Sequence, residues 1–362
     1  MNDLKFWIAF SYLPEIGSSR FRKLLNYFKN LELAWKANIN EFKEAGLDEK
    51  IIEKIILKRK TINPDEKLEI LNKENIKVII FNDSQFPRLL KEIDSCPALL
   101  FYKGNFQKQD EFSLAIVGTR KISLYGKQTA LKIVRDLVQN NLVIVSGLAR
   151  GVDTLAHYIT LELGGRTIAV LGSGLNKKNI YPFENQNLAQ RIIEQNGLLI
   201  SEYPPETSPQ KYFFPYRNRI VAGLTLGTLV IEAPEKSGAL ITARYALEQG
   251  REIFAVPGNI HNFNSIGCNN LIKMGGKLVN DANDILDALN FVRTVKPVVK
   301  KIIKPLNKEE AELLKYLSEE PIHIDKLIEF SKFNPTIVNS VLTMMEINGK
   351  IKHLGGMYFI LT

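Results

Sequence analysis

The chain has 362 residues, 45% of them hydrophobic and 24% charged, and its 48 Lys and Arg against 39 Asp and Glu give a formal net charge of +9. This length is typical of one large domain with appendages, or of two to three units. The charge fits either an ordinary basic-leaning surface or a polyanionic partner. The two cysteines, Cys96 and Cys268, stand far apart, which excludes a disulfide framework and a cysteine zinc site. We predict no bound metal.

The apolar run near the N-terminus, FWIAFSYL at residues 6–13, is much shorter than the roughly 20 residues that span a bilayer. It also lacks a basic leader and a small-residue cleavage site. No other stretch of the sequence is long and apolar enough to cross a membrane. We therefore expect a cytoplasmic protein with no membrane insertion.

Residues 1–62 are predicted to form a small helical domain. The stretch LPEIGSSRFRKLLNYF (13–28) combines a turn at Gly17 with a helical apolar stripe, and EAGLDEKIIEKIILKRK (44–60) repeats this plan with Asp48 as the N-cap. Two such units resemble helix-hairpin-helix or SAM-like modules, many of which touch the DNA backbone through the glycine turn. A glycine before a helix is equally consistent with a turn alone.

Residues 65–290 alternate short apolar strands with helical patterns. Such strands, separated by helices, are typical of a parallel sheet covered on both faces. The predicted strands are KVIIF (77–81), SLAIVG (113–118), LVIVSG (142–147), RTIAVLGSG (166–174), GLLISEY (197–203), LGTLVIEA (226–233) and REIFAVPG (251–258). We therefore predict a doubly wound α/β domain, in which ligands bind at the carboxyl ends of the strands.

Small, polar and basic residues follow three of these strands, and a parallel sheet would bring them to one edge. Glycine lets backbone N–H groups approach an anion, a helix N-terminus adds partial positive charge, and arginine matches phosphate oxygens in bidentate fashion. The candidates are Gly118, Thr119 and Arg120, then Ser146, Gly147 and Arg150, then Gly174 and Lys178. These loops carry more positive charge than one small nucleotide requires.

Two further stretches carry anion-binding chemistry. FFPYRNRIVAG (213–223) joins arginines to aromatic rings, which suits gripping a backbone and stacking bases, or else a packed helix start. EKSGALITARYALEQG (235–250) places hydroxyl groups where a turn opens a helix, so they either accept an anion or cap the helix. The candidates are Arg217, Asn218 and Arg219 in the first stretch and Ser237 and Thr242 in the second.

The C-terminal part divides into a linker and a small domain. Residues 291–308, FVRTVKPVVKKIIKPLNK, hold lysines and two prolines without an acidic side chain and are predicted to form a basic linker. Residues 309–362 are predicted to form three helices and a β-hairpin at LGGMYF, the pattern of a winged-helix domain. The helix within NPTIVNSVLTMMEINGK carries few cations, so a protein-contact or regulatory role is at least as well supported as DNA reading.

The motifs of residues 65–290 resemble, in order, the DNA-processing protein family known as DprA or Smf. They are IVGTR, SGLARGVDTLAH, TIAVLGSGLNKKNIYPFENQNL, LISEYPP, FPYRNRIVAGLTLGTLVIEAPEKSGALITARYALEQGREIFAVPG and GCNNLIKMGG. The resemblance implies an extended Rossmann fold with SAM-like and winged-helix-like flanking domains, a homodimer, and a basic pocket for single-stranded DNA. It also implies that the protein protects incoming DNA and loads RecA recombinase onto it during natural transformation, with no catalysis and no cofactor.

This resemblance assigns roles to individual residues. Arg120 and Arg150 would clamp phosphates, Lys178 and Asn185 would line the same groove, and the Arg217–Arg219 segment would complete it. Family members often carry a basic residue directly after the YP dipeptide, where this chain has Phe183. Base stacking or plain packing is the alternative to a phosphate contact at this position.

Two other functions stay open from the sequence. A nucleotide-processing enzyme resembling the cytokinin-activating phosphoribohydrolase family would use Glu232 of LGTLVIEA to polarise a ribose or activate water, although that family's Pro-Gly-Gly lead is missing. His157 and His261 have no recognisable Ser or Cys partner. A small-nucleotide sensor would use the same strand ends for one ligand, although the full G-x-G-x-x-G and Walker spacings are absent.

Overall fold

The computed structural model describes residues 3–291, 305, 307–318, 321–348, 350–354 and 356–361. The chain forms two compact units, Met1–Thr294 and Val295–Thr362. Most of the predicted basic linker, residues 292–304 and 306, lies outside the described residues. None of the described helices combines the length and the apolar character that crossing a bilayer requires.

The first unit begins with a helical region that is richer than the two predicted turn-helix units. Its helices are α1 (Leu4–Ser11), α2 (Ser18–Tyr27), α3 (Leu31–Lys36), α4 (Ile39–Glu44), α5 (Glu49–Arg59) and α6 (Pro64–Lys73). Asn38 and Glu41 form a capping box at α4, whereas Asp48, the predicted N-cap of α5, accepts no capping hydrogen bond. Phe10 and Phe21 share one apolar core with strand residues of the neighbouring sheet, so the helices pack directly on that sheet.

The described residues then form a nine-stranded sheet. Its strands are β1 (Lys77–Ile80), β2 (Leu99–Gly104), β3 (Ser113–Val117), β4 (Val143–Ser146), β5 (Thr167–Leu171), β6 (Leu198–Ser201), β7 (Gly227–Val230), β8 (Glu252–Ala255) and β9 (Lys277–Leu278). The spatial order is β1-β2-β6-β5-β4-β3-β7-β8-β9, and all pairs from β6 to β9 are parallel. The prediction of a mostly parallel, doubly wound sheet is confirmed. β1, however, pairs antiparallel with β2, a strand that was not predicted.

Helices cover both faces of the sheet. They are α7 (Arg88–Lys91), α8 (Leu124–Gln139), α9 (Val152–Glu162), α10 (Gln186–Glu194), α11 (Phe213–Gly223), α12 (Gly238–Glu248), α13 (Ile266–Lys273) and α14 (Ala282–Ala288). Helices α8, α9 and α14 pack on one face, and α7, α11, α12 and α13 pack on the other. The strand order reverses between β3 and β7, and in such sheets the carboxyl end beside the reversal is where ligands bind.

The second unit is a small domain with its own apolar core. It contains α15 (Lys308–Leu314), β10 (Ile322–His323), α16 (Ile324–Ser331), α17 (Pro335–Ile347), β11 (Ile351–His353) and β12 (Tyr358–Leu361). The strands form a sheet in the order β10-β12-β11, which confirms the winged-helix prediction. Helix α17 buries Val338, Leu342 and Met345 and leaves Met344 and Ile347 exposed.

Candidate nucleic-acid interface

A small pocket, here called the strand-end pocket, lies at the carboxyl ends of β3, β4 and β5. Its wall is formed by the loops after these three strands and by the first turns of α11. The lining residues are Arg120, Gly147, Ala149, Arg150, Tyr181, Pro182, Phe214 and Arg217. Four of the predicted site residues, Arg120, Gly147, Arg150 and Arg217, are therefore brought together as the sequence predicts.

Arg120 and Arg150 form the exposed, cationic part of this pocket. Arg120 makes no side-chain hydrogen bond or ion pair with any residue that the structure describes. Arg150 donates from Nη2 to Glu184 Oε1 at 2.6 Å, and about half of each side chain is exposed. Two hydrogen bonds lower the pKa of the Glu184 carboxyl. The larger effect comes from the backbone N–H of Glu184 itself, and the next comes from Arg150. The pocket thus offers one free guanidinium and one that a carboxylate already occupies.

Arg217 is an internal brace rather than a surface cation, because only 4% of the residue is exposed. Its Nη1 donates to the carbonyl oxygen of Gly147 at 2.7 Å and to that of Val170, and its Nε donates to Asn218 Oδ1 at 3.1 Å. These bonds tie the ends of β4 and β5 to α11. Burial lowers the pKa of Arg217 to about 10, against the attraction of Asp153, so the group stays protonated at neutral pH.

The glycine-rich turn SGLARG directs its backbone donors at the chain's own carboxylate. The backbone N–H groups of Gly147 and Ala149 donate to Asp153 Oδ2 at 3.0 and 3.3 Å. Burial raises the pKa of Asp153, although the charge of Arg217 and these two N–H groups oppose the shift. In this structure Asp153 therefore occupies the two N–H groups that were expected to meet a phosphate. A Cβ at Gly147 would lie 2.5 Å from Arg217 Nη2 and 2.8 Å from Asp153 Oδ2.

The loop after β3 is held by backbone contacts. Val152 N donates to the carbonyl of Thr119 at 3.2 Å, and Thr119 N donates to that of Glu232 at 2.7 Å. A Cβ at Gly118 would meet Val152 Cγ2 at 2.5 Å, and Gly151 adopts a φ of +80° against the same loop. Thr119 is itself buried. Gly118 and Thr119 therefore shape the loop that presents Arg120.

Several other predicted contact residues point inward. Ser146 is buried and donates its hydroxyl to the carbonyl of Ile116 at 2.6 Å. Asn185 is buried and donates from Nδ2 to the carbonyl of Leu148 at 2.8 Å and to Thr154 Oγ1 at 2.7 Å. These polar groups are satisfied inside the protein, so a direct DNA contact from either side chain does not fit the structure.

Arg219 is also withdrawn from the surface. Its Nη2 donates to Glu202 Oε1 at 2.6 Å, its guanidinium lies 4.1 Å from the centre of the Tyr216 ring, and the residue is fully buried. Burial acts to lower the pKa of Arg219, but Glu202 and Tyr216 outweigh it and raise the pKa. The predicted phosphate contact from Arg219 is therefore corrected to a support for Tyr216.

The turn before α12 behaves as a helix cap. Ser237 accepts from the backbone N–H of Ala239 at 3.3 Å, and Asn218 donates from Nδ2 to the carbonyl of Gly238 at 3.2 Å. Thr242 is buried, so its predicted contact with DNA does not fit. Asn218 thus links this cap to Arg217 and to the strand-end pocket.

The loop after β5 supplies one cation and one ring. Lys178 is exposed in the short turn Lys177–Asn179 but does not line the strand-end pocket. Gly174 is buried, and its N–H donates to the carbonyl of Thr207 at 2.8 Å. Phe183 is 76% exposed, immediately before the Glu184 that pairs with Arg150. Phe183 is therefore not packed inside the protein, as one of the two alternatives from the sequence would have it.

Two of the three residues considered for catalysis, Glu232 and His157, are engaged internally, whereas His261 is exposed. Glu232 is buried and accepts from Ser123 N at 2.9 Å and from Ser123 Oγ at 2.5 Å. His157 is fully buried, with Nδ1 2.7 Å from Thr167 Oγ1. Burial and then repulsion by Arg217 lower the pKa of His157 to about 3, so the ring is neutral at neutral pH.

Sequence reasoning missed two acidic residues of the site, Asp153 and Glu184. Asp153 lies in the first turn of α9, directly after the glycine-rich loop, where a carboxylate can accept the loop's N–H groups. That position was a usable signal. The pairing of Glu184 with Arg150 joins two loops 34 residues apart and has no counterpart in the local sequence.

Comparison with known proteins matches both parts of the chain to one protein family. A family model for DNA recombination-mediator protein A matches residues 77–290, and one for the DprA winged helix domain matches residues 301–357. Protein Smf of Synechocystis sp. is 40% identical over 296 residues, which cover 80% of this chain and 74% of that protein. DNA processing protein DprA of Streptococcus pneumoniae is 46% identical over 209 residues, which cover 58% of this chain and 73% of that protein.

Two solved structures share the fold. The X-ray structure of DNA processing protein A from Streptococcus pneumoniae aligns with a TM-score of 0.66 and 36% identity, covering 78% of this chain and 95% of that one. A structure of DNA processing protein A from Helicobacter pylori, which concerns its single-stranded DNA binding mode, aligns with a TM-score of 0.53 and 30% identity, covering 59% of this chain and 95% of that one. The chain thus belongs to the DNA recombination-mediator protein A family, also known as DprA or Smf.

Proposed function

We propose that the strand-end pocket binds the backbone of single-stranded DNA. The observation that carries this proposal is the exposed guanidinium of Arg120, which has no partner among the described residues and lies beside Arg150. Behind them the buried Arg217 holds the floor of the pocket, the ends of β4 and β5, through hydrogen bonds to backbone carbonyls. Exposed arginine forks recognise phosphate oxygens, and a braced floor lets them do so without rearrangement. Binding of single strands by the Helicobacter pylori relative supports the same assignment.

The aromatic residues around the pocket favour single strands over duplex. Tyr181 and Phe214 line it with ring centres 5.4 Å apart, and Phe183 stands exposed beside it. An aromatic ring can stack on an unpaired base, whereas a duplex hides the faces of its bases. The contact set that we propose is therefore Arg120, Arg150, Lys178 and Phe183, with the buried residues shaping the pocket behind them.

The test is fluorescence anisotropy of labelled single-stranded and duplex oligonucleotides over a salt series. The wild type is compared with the double variant Arg120→Ala, Arg150→Ala. Each phosphate contact contributes about 0.7 to the slope of log affinity against log salt for single strands, so loss of two contacts should reduce the slope by about 1.4. The matched control is Arg88→Ala, Arg135→Ala, which removes the same charge from two exposed arginines outside the pocket.

Equal affinity of the wild type and the pocket variant would contradict the assignment. Equal weakening of the pocket variant and the control would show that net charge alone is responsible. A preference for nucleoside monophosphates over oligonucleotides would instead indicate the small-nucleotide sensor that the sequence left open.

The proposal includes a non-catalytic role in DNA recombination, in which the protein protects incoming single strands and loads RecA onto them during natural transformation. The engagement of Glu232 by Ser123 supports the absence of the ribohydrolase chemistry, because both oxygens of that carboxylate already accept hydrogen bonds from the N-cap residue of α8. RecA ATPase activity on strands coated with single-strand-binding protein should rise when this protein is added. No rise, or release of phosphoribose from a nucleoside monophosphate, would refute this part.

We also propose a homodimer formed through the β8–β9 edge of the sheet. Leu247 and Met274 line an apolar cavity there, both are strongly exposed, and Leu278 lies exposed on the edge strand β9. Exposed apolar clusters of this kind mark protein contacts. Light scattering should report a dimer for the wild type and a monomer for Met274→Glu, with Leu131→Glu on α8 as the control. A monomeric wild type would refute the dimer.

A further inference from the structure

A second groove, here called the aromatic groove, lies between the N-terminal helices and the loop after β6. Residues from the α1–α2 turn form one wall, and residues 202–216 form the other. Its aromatic lining consists of Tyr12, Phe21, Tyr203, Tyr212, Phe213 and Tyr216. Tyr212 is 65% exposed and Tyr216 is 42% exposed, so the groove presents ring surface that no described residue covers.

The groove also contains polar atoms that lack partners. Within the part of the chain that the structure describes, Ser18 Oγ, Glu202 Oε2 and Tyr203 Oη are buried and make no hydrogen bond. All three residues line the groove. Buried polar atoms are normally hydrogen-bonded, so an unpaired acceptor and two unpaired hydroxyls in the walls of one groove leave hydrogen-bonding capacity that a ligand with a complementary polar edge can use once a side-chain rotation exposes it.

The rings are held in place from behind. Arg219 lies 4.1 Å from the centre of the Tyr216 ring and is itself fixed by Glu202. Tyr203 and Phe213 have ring centres 4.0 Å apart, and Phe213 contacts Tyr212 edge to face at 4.5 Å. A rigid aromatic wall suits a flat ligand because stacking on it requires little ordering of side chains.

The first turn of α11 joins this groove to the strand-end pocket. Phe214 lines the pocket, whereas its neighbours Phe213 and Tyr216 line the groove. The two sites therefore border the same helical turn, and a polymer held in the pocket can continue into the groove. Lys211, next to Tyr212 in sequence, is exposed and forms no ion pair among the described residues, which provides a cation for an adjoining phosphate.

We propose that the aromatic groove receives nucleobases of the same DNA strand that the strand-end pocket holds by its phosphates. A base matches both features of the groove, since its flat face stacks on tyrosine and its edge carries the donors and acceptors that Glu202, Tyr203 and Ser18 lack. An exocyclic amine donates to Glu202 Oε2, so bases that carry one are preferred over thymine. This inference rests on the proposed function and extends it from one phosphate site to a longer strand path.

The test compares Tyr212→Ala and Tyr203→Phe with the wild type over oligonucleotides of about 4 to 16 nucleotides. Tyr212 is mostly exposed and the Tyr203 hydroxyl has no partner, so neither change should unfold the protein. We expect Tyr212→Ala to weaken long strands roughly five- to a hundredfold and to leave the shortest strands and the salt slope unchanged. Tyr203→Phe should reduce the preference for amine-bearing bases. The control is Tyr27→Ala, an exposed tyrosine on α2 outside the groove.

Crosslinking provides an independent readout. A strand carrying 5-iodocytosine, which keeps the exocyclic amine, should form photo-adducts at Tyr212 or Tyr216, located by mass spectrometry. An unchanged affinity of Tyr212→Ala at every length, with no adduct in the groove, would refute the proposal and leave the strand-end pocket standing. Equal loss for short and long strands would also refute it, because the variant would then act on the pocket.

A free nucleotide is the other source of the same chemistry. 2-Aminopurine should be quenched when it is placed in a strand and much less when it is supplied as the monophosphate. Equally tight binding of the monophosphate would refute a strand as the occupant. If the wild type binds no single strand at all, the proposed function fails. The groove is then tested with the 2-aminopurine monophosphate alone, and an absence of quenching would refute a base site.

Discussion

Lowering the pH from 6.5 to 4.5 is expected to destabilise the first unit through one residue, His157. The hydroxyl of Thr167 donates to the carbonyl of Ile144 at 2.7 Å, so His157 Nδ1, 2.7 Å from that hydroxyl oxygen, must be the donor in their hydrogen bond. Nε2 is then the unprotonated nitrogen, which is buried and has no hydrogen-bond partner among the described residues. A second proton would create a buried cation beside Arg217.

The magnitude follows from the pKa values. Burial and then Arg217 lower the pKa of His157 from 6.5 to about 3, so the ring takes up its proton only when the chain unfolds. Unfolding therefore becomes easier as the pH falls from 6.5 toward 3, and the effect is absent above this window. Between pH 6.5 and 4.5 the linkage relation gives a loss of about 2 kcal/mol from the free energy of unfolding.

The assay is urea unfolding of the wild type and of His157→Asn at several pH values in this window. Asparagine retains a donor toward Thr167 and does not titrate, so the difference between the two proteins isolates the histidine from the carboxylates. NMR of the ring carbons offers a direct check, because the chain has only four histidines. A His157 signal that titrates near pH 6.5, or parallel stability curves for the two proteins, would show that the burial argument is wrong.

Three further changes test the strand-end pocket. Glu184→Gln should strengthen single-strand binding roughly two- to fivefold by freeing Arg150, and an unchanged affinity in anisotropy would mean that the ion pair does not compete with phosphate. Gly147→Ala should lower the urea midpoint and weaken binding, because its Cβ collides with the Arg217 guanidinium; a fully stable variant would indicate that this floor is not rigid. Phe183→Ala should leave thermal stability unchanged and reduce affinity roughly fivefold or more, whereas equal affinity would exclude stacking.

The architecture was accessible from the sequence because parallel strands carry continuous apolar runs. SLAIVG and LVIVSG lie buried on both faces as β3 and β4, and their glycine-bearing ends meet at one edge. The pairing of β1 was not accessible, because LLFYKG, the apolar and aromatic run of six residues that forms β2, contains nothing that specifies an antiparallel partner. Local patterns specify local structure, and the direction of a pairing depends on contacts distant in sequence.

The candidate site was only partly predictable for the same reason. Arg120 and Arg150 follow strand ends and are exposed as expected, whereas Arg217 and Arg219 carry the same charge in an equally basic stretch and are buried. Their partners explain the difference: Gly147 is 70 residues from Arg217, and Glu202 is 17 residues from Arg219. Whether an arginine binds a ligand or braces the fold depends on such distant acceptors, which a linear motif does not contain.

The buried Arg217 has a consequence for how DNA would experience this protein from a distance. Only 4% of Arg217 is exposed and its Nη1 is bound to the carbonyl oxygens of Gly147 and Val170, so its guanidinium does not meet a phosphate at the surface. The attraction that gathers a strand, and the counterions released on its arrival, would then come from Arg120, Arg150 and the neighbouring lysines alone. The buried residues of the floor affect a strand only after it has bound, because they fix the shape of the pocket that the exposed cations surround. The exposed arginines and lysines thus determine how fast a strand associates, and the buried Arg217 determines how well the strand fits the pocket.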